Sequence, residues 1–215
     1  MLKFRSNVGT VITLLILAAV GAYYWGMRQS SRSVLDEMLA ETPPPIPNDV
    51  FLGEQAIPPI PLPEFDLINY TGERVKNTDL KGRIVLLSFA YTSCPDTCPV
   101  MFGRFLNIQK ELAELMEEEV ELVFISVDPE VDTPERLAAH AKAMDAIWYF
   151  LTEDLSVMQE VWASFRLFVE KEDPTVNHSN LSYLIDRQGL IRVQYTGMPP
   201  ESAFLADINK LLYGE

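Results

Sequence analysis

The stretch Ser93-Cys94-Pro95-Asp96-Thr97-Cys98-Pro99 constrains this chain more than any other, because it holds both of its cysteines. It follows the apolar run 84–90, typical of a buried strand, and precedes an amphipathic pattern typical of a helix. The two thiols are therefore predicted at a junction between a strand and a helix. Residues four apart on a helical turn have Cβ atoms about 6 Å apart. That spacing admits a metal ion between the sulfurs, or a disulfide after a modest backbone movement.

The prolines refine this prediction. Pro95 and Pro99 both favour the first turn of a helix, but they cannot both be the first residue of one straight helix. We therefore expect a short turn from Cys94 and a regular helix from about Pro99. Cys98 then lies near unpaired backbone N–H groups and the positive end of the helix dipole, which favours the thiolate.

The rest of the pattern alternates strands and helices. We expect a hairpin over 65–75, core strands over 83–90 and 122–127, a helix from the N-cap Thr133 to Met144, a short strand over 148–151, a helix from Asp154, a polar loop over 168–179, a hairpin over 181–195 and a last helix. This order predicts an α/β fold, a thioredoxin-like mixed sheet flanked by helices.

The N-terminal segment 8–25 carries no charge and is long enough to cross a bilayer. We predict a membrane anchor over 1–27, a proline-rich linker over 28–63 and the thioredoxin-like domain over 64–215. The alternative is a signal peptide cleaved near Val20-Gly21-Ala22. Within the linker, the density of proline over 41–64 prevents a helix or a central strand. It predicts an extended, semi-rigid spacer.

The net charge of −14 excludes nucleic acid as an expected partner, because nucleic-acid binding needs a basic surface. The cysteines carry more information. A disulfide between residues four apart closes a small loop and stabilises little, so a redox or metal role is favoured over a structural one. The three residues between Cys94 and Cys98 depart from the Cys-x-x-Cys of disulfide oxidoreductases and suit a metal better.

A third ligand would complete a trigonal copper site, and the chain has two histidines. His140 falls in a predicted helix, where a partly exposed histidine without a special role is expected. His178 falls just before the C-terminal hairpin, in the region expected to face the cysteine-bearing turn. Sulfur and imidazole together favour copper, while zinc stays open if water or a partner supplies a fourth ligand.

Three motifs resemble the Sco/SenC copper proteins: Phe89–Pro99, Ile125–Glu135 and His178-Ser179. These proteins assist assembly of the copper A centre of cytochrome c oxidase. The resemblance covers roughly residues 62–213. It implies Cys94, Cys98 and His178 as copper ligands, and Asp128 close to the site without being a ligand. The family often has Asp-His-Ser where this chain has Asn177-His178-Ser179, a departure that leaves the three ligands in place.

Two functions follow from this resemblance. The first is a copper chaperone, anchored in a bacterial inner membrane with its domain on the periplasmic side, that delivers copper to the oxidase subunit. The second is a thiol-disulfide reductase that uses Cys94 and Cys98 to keep the cysteines of that subunit, or of another copper chaperone, reduced. The reductase needs an external thiol reductant, because a dithiol does not stay reduced in an oxidising compartment. A peroxidase is less favoured, because Tyr91 and Pro95 occupy positions where peroxiredoxins have threonine.

Overall fold

The structure is a computed structural model that describes residues 50–214. Eight strands form one sheet in the order β1-β10-β9-β4-β5-β6-β2-β3, and β7 and β8 form a separate hairpin. The strands are β1 Glu54–Pro61, β2 Asp66–Asn69, β3 Arg74–Lys76, β4 Ile84–Ala90, β5 Val120–Ser126, β6 Tyr149–Thr152, β7 Val169–Glu172, β8 Thr175–His178, β9 Leu181–Ile185 and β10 Leu190–Thr196. The helices are α1 Thr97–Glu111, α2 Pro134–Met144, α3 Leu155–Ser164 and α4 Glu201–Tyr213.

The centre of the sheet is parallel and fully buried. β4 pairs in parallel with β5, and β5 with β6, while the other pairs are antiparallel. Every residue of β4 and β5 is buried, which explains why both read as continuous apolar runs instead of alternating patterns. At the start of α2, the Thr133 side chain accepts a hydrogen bond from the Arg136 backbone N–H, as the sequence predicts for an N-cap.

Aromatic side chains fill the core on both faces of the sheet. On one face, Phe105 of α1 packs against Phe124 of β5 with ring centroids 4.3 Å apart. On the other face, Phe89 of β4 lies 5.2 Å from Phe165, at the end of α3. Because every residue of β4 is buried, the loop that leaves it starts from a rigid support.

The second proline cluster is part of the sheet and not part of a spacer. β1 contains Pro58, Pro59 and Pro61 and pairs with β10, with an irregular register between Gln55 and Ile60. Prolines are tolerated here because β1 is an edge strand, where one row of backbone groups needs no partner. The predicted domain boundary at residue 64 is therefore too late. The first proline cluster lies outside the described residues.

Residues 168–179 are the second correction. They form the antiparallel hairpin of β7 and β8, with Val169 opposite His178, where the sequence predicted a polar loop. The strands are short and β7 is largely exposed, so no buried apolar alternation announces them. The predicted hairpins over 65–75 and 181–195 are confirmed as β2-β3 and β9-β10.

Candidate metal centre

Cys94 and Cys98 lie on two sides of the junction between β4 and α1. Cys94 is half-buried in the connecting loop, where its backbone N–H donates to the carbonyl oxygen of Tyr91 at 3.4 Å. Cys98 is buried in the first turn of α1, and both are free thiols. The helix begins at Thr97, two residues before the predicted start at Pro99.

The surroundings shift the pKa values of the two thiols in opposite directions. At Cys94, burial opposes the thiolate, but hydrogen bonds from the backbone N–H groups of Asp96 and Cys98 and from two side chains outweigh it, so the pKa is lowered. At Cys98, burial dominates and raises the pKa to about 12. The expectation that Cys98 favours the thiolate is therefore wrong. The cost of desolvating its charge exceeds the gain from the helix dipole.

His178 is the last residue of β8, so a hairpin presents it. Its Nδ1 lies 3.0 Å from the carbonyl oxygen of Ser179. A carbonyl oxygen only accepts, so Nδ1 carries the proton and the lone pair of Nε2 is left free. Burial lowers the pKa of the imidazole and favours its neutral form, which is the form that binds metal ions.

Tyr91 lies between the cysteine loop and His178. Its ring meets the His178 ring edge to face, with centroids 6.1 Å apart. Its hydroxyl accepts a hydrogen bond from the Val176 backbone N–H at 3.2 Å and contacts the Cys94 thiol, while its backbone contacts Cys98. The three predicted ligands therefore border one aromatic residue.

These ligands do not form a closed cluster in the structure. Within residues 50–214, no three side chains of His, Cys, Asp or Glu lie close enough together to hold one metal ion. The donor chemistry nevertheless fits a soft ion, because two sulfurs and an imidazole nitrogen suit Cu(I) better than Mg²⁺ or Ca²⁺. The same pair of thiols can also exchange with a disulfide, starting from Cys94.

A buried hydrogen-bond network fixes the start of the cysteine loop. Asp132, which is fully buried, accepts from the hydroxyls of Thr92 at 2.5 Å and Ser126 at 2.7 Å, and from the Thr92 backbone N–H at 3.2 Å. Arg136 donates to the Thr92 hydroxyl at 2.6 Å. Thr92 is two residues before Cys94, so this network joins the loop to the end of β5.

Sequence reasoning gave no role to Asp132. Its position carried a usable signal, since it follows β5, the parallel neighbour of the strand that leads to the cysteines. Neighbouring parallel strands end at the same edge of the sheet, so the segments after them meet. Burial raises the pKa of the Asp132 carboxyl, while the hydrogen bonds from Thr92 and Ser126 partly offset that rise.

Asp128 connects the other side of this edge to the hairpin of His178. Its buried carboxylate accepts from Lys171 Nζ at 2.9 Å, and Lys171 also contacts Glu130 at 2.7 Å. Lys171 is on β7, so these ion pairs tie the hairpin to the loop after β5. The contact joins Asp128 to the hairpin that carries His178.

Comparison with known proteins identifies the family. The SCO1/SenC family model matches residues 58–213, which is most of the chain. The chain belongs to the SCO1/SenC family. An SCO2-like protein of Rickettsia prowazekii is 30% identical over 196 residues, with 87% of this chain and 89% of that protein covered.

Solved structures of SCO1/SenC proteins share the fold. ScoI of Bradyrhizobium japonicum, solved with copper bound, is 30% identical with a TM-score of 0.62, covering 71% of this chain and 99% of that one. BsSco, studied for a disulfide switch and described as a member of the Sco family of cytochrome c oxidase assembly proteins, is 28% identical with a TM-score of 0.62, covering 73% and 96%. The predicted thioredoxin-like α/β fold is thereby confirmed.

The structure also shows where two other residues of this SCO1/SenC chain lie, Asn177 and His140. Asn177, where the family often has Asp, is exposed and lies on β8. Successive residues of a strand point to opposite faces, so its side chain is directed away from that of His178. His140 is half-buried on α2 and packs against Phe102, with ring centroids 4.9 Å apart.

The predicted membrane anchor of this SCO1/SenC protein lies outside the described residues. Among the helices between residues 50 and 214, none combines the length and the apolar character needed to cross a bilayer.

Proposed function

We propose that this protein is a membrane-anchored copper chaperone that assists assembly of the copper A centre of cytochrome c oxidase. Copper is its cargo, with Cys94, Cys98 and His178 as the ligands. The observation that carries the proposal is the convergence of both thiols and the imidazole on Tyr91. The relatives support it, since the ScoI structures of Bradyrhizobium japonicum and Arabidopsis thaliana were solved with copper bound.

The site suits a cargo that must be released again. Cys94 has the lowered pKa and partial exposure of a group that can meet an incoming ion first. Cys98 is buried behind it, and His178 offers a free Nε2 from a separate hairpin. The two cysteines lie on the cysteine loop and the first turn of α1, whereas His178 lies on a separate hairpin. Ligands on two separate segments can then be exchanged one at a time with those of the recipient.

The anchor and the location belong to the same proposal. Residues 8–25 would hold the protein in a bacterial inner membrane as a single span, and the folded domain would face the periplasm. The partner would be the copper A subunit of the oxidase. The bacterial relatives, one of them a SCO1/SenC lipoprotein of Bacillus anthracis, support a membrane-associated protein.

Thiol-disulfide reduction is the second candidate, and the unequal thiols favour it. The Cys94 thiolate would attack a client disulfide and form a mixed disulfide, releasing one client thiolate. Cys98, after losing its proton, would attack the Cys94 sulfur and release the second client thiolate. The client gains two electrons and the pair Cys94–Cys98 is oxidised, so an external dithiol must reset it. The disulfide switch named for BsSco is consistent with such a pair.

A competition titration with a chromophoric Cu(I) chelator tests the proposal on the reduced full chain in non-ionic detergent. We expect one Cu(I) per chain, no binding in Cys94→Ser/Cys98→Ser, and at least about tenfold weaker binding in His178→Ala, since even outer residues of metal sites contribute 10–100-fold. His140→Ala is the matched control, because it removes the other histidine, and it should bind like the wild type.

The same variants separate the two candidates. If His178→Ala binds Cu(I) as tightly as His140→Ala, the histidine is not a ligand and the chaperone proposal fails in this form. Reduction of oxidised glutathione by the wild type and by His178→Ala at equal rates, together with that result, would favour the reductase.

A further inference from the structure

The Tyr91 hydroxyl is a polar group inside the site that belongs to none of the three proposed ligands. Only 4% of Tyr91 is exposed, so its hydroxyl needs partners from the protein. The hydroxyl oxygen accepts a hydrogen bond from the Val176 backbone N–H at 3.2 Å. That contact uses a lone pair of the oxygen and leaves the hydroxyl proton available for an acceptor.

The Cys94 sulfur is the acceptor for that proton. The hydroxyl and the sulfur form a hydrogen bond between side chains. A backbone N–H can only donate, and the thiolate form that binds copper can only accept, so both contacts are satisfied when Tyr91 donates to Cys94. The hydroxyl therefore bridges the cysteine loop and β8, the strand that ends at His178.

The other contacts of Tyr91 do not need the hydroxyl. Its ring meets the His178 ring edge to face with centroids 6.1 Å apart, and its backbone contacts Cys98. Its carbonyl oxygen accepts from the Cys94 backbone N–H at 3.4 Å. Phenylalanine at this position would keep all three contacts. The role of the hydroxyl can therefore be separated from the packing of the ring.

A hydrogen bond to a coordinating sulfur acts on that sulfur in two ways. It fixes the position of the sulfur, here relative to the hairpin, because Val176 holds the donor oxygen. It also draws electron density from the sulfur and lowers the energy of the electrons that bind the metal. Partners of this kind, which are not ligands themselves, contribute about 10–100-fold to metal affinity.

We propose that Tyr91 is a positioning residue of the copper site, whose hydroxyl holds the Cys94 sulfur in place relative to the hairpin that carries His178. This inference rests on the proposed copper-binding function and adds to it a residue that is not a ligand. Tyr91 is buried and bonded to the hairpin in the metal-free protein, so Cys94 is oriented before copper arrives.

Cu(I) competition titrations and ultraviolet spectra of the reduced full chain in non-ionic detergent test this role. Tyr91→Phe should still bind one Cu(I), but at least about tenfold more weakly. Its thiolate-to-copper absorption band should move to longer wavelength, because the hydroxyl no longer stabilises the sulfur electrons. Replacement of Tyr91 by p-aminophenylalanine, whose amino group can both donate and accept, should restore the affinity and the band position.

The matched control is Tyr183→Phe. Tyr183 is 5% exposed, and its hydroxyl donates to the Phe165 carbonyl oxygen at 3.1 Å. This variant therefore also loses a buried tyrosine hydrogen bond, but one that involves none of the three proposed ligands. It should bind Cu(I) as tightly as the wild type, with an unchanged absorption band.

Three results would overturn the role of Tyr91 while the wild type still binds Cu(I). The first is equal affinity in Tyr91→Phe, and the second is a band that does not move. The third is equally weak binding in Tyr183→Phe or in the p-aminophenylalanine variant, because the loss would then not come from the missing donor. A wild type that binds no Cu(I) is a separate outcome, which overturns the copper proposal and this role with it.

Discussion

Removing the Asp132 carboxylate should both destabilise the domain and release the cysteine loop. Asp132→Ala leaves the backbone N–H of Thr92 and the hydroxyls of Thr92 and Ser126 without their acceptor. A buried donor without a partner costs about 1–3 kcal/mol. The hydroxyls can rotate toward other acceptors, so one to two groups bear the loss, and we expect a decrease of about 2–4 kcal/mol in the free energy of unfolding.

This loss of stability should be greatest in the loop that carries the cysteines, because Thr92 lies at the start of that loop. In a Cys94→Ser background, Cys98 is the sole thiol, and its side chain is only 3% exposed. Its alkylation therefore reports on opening of the loop. If 2 kcal/mol of the loss falls on the loop, alkylation under native conditions should be about 30-fold faster, since 1.4 kcal/mol is a factor of ten.

The matched control is Asp207→Ala. Asp207 is equally buried and accepts from the backbone N–H groups of Leu52 and Gly53 and from the Tyr195 hydroxyl, far along the chain from the cysteines. It should lower the Tm comparably while Cys98 stays protected at temperatures well below the transition. If Cys98 is alkylated no faster in Asp132→Ala than in Asp207→Ala, or if Asp132→Ala is as stable as the wild type, Asp132 does not hold the cysteine loop in place.

Two further predictions concern buried charge. Burial raises the pKa of Glu121 to about 7 despite its ion pair with Arg83. The folded state therefore binds this proton more tightly than the unfolded state, and the contribution of Glu121 to stability falls as the pH rises from about 4.5 to 7. Urea unfolding of Glu121→Gln should show a flatter pH dependence in this range and higher stability than the wild type at pH 8; an unchanged slope contradicts this. Second, Lys171→Met removes the link to Asp128, so amide exchange should accelerate in the hairpin of His178 but not in β9 and β10. If the hairpin amides exchange at the same rate in Lys171→Met as in the wild type, the ion pairs do not hold the hairpin.

The local sequence was sufficient to predict two kinds of element: strands that are buried on both faces, and helix starts that are fixed by contacts within a few residues. The apolar runs of β4 and β5 predicted core strands because both faces of a central parallel strand exclude polar residues. Thr133 followed by Pro134 predicted the start of α2, since an N-cap and its first turn are satisfied within a few residues. Cys94 and Cys98 were placed at the strand-to-helix junction for the same reason.

Other features depend on contacts between residues far apart in the chain. β1 is extended, as its prolines predict, but only pairing with β10 makes it a strand of the sheet. The hairpin of β7 and β8 is held by Lys171 and Tyr91, which bond to Asp128 and to the Val176 backbone. Neither contact leaves a periodic pattern in the sequence.

The sequence by itself determined which chemical groups this protein can use: two thiols, an imidazole and the carboxylates after β5. The tertiary structure decided how each group behaves. It buries Cys98 and leaves Cys94 partly exposed, so the thiolate is favoured at the position that the helix dipole alone would not select. The reason is physical: hydrophobic patterning and capping act over a few residues, whereas desolvation depends on every atom that the fold brings near a charge.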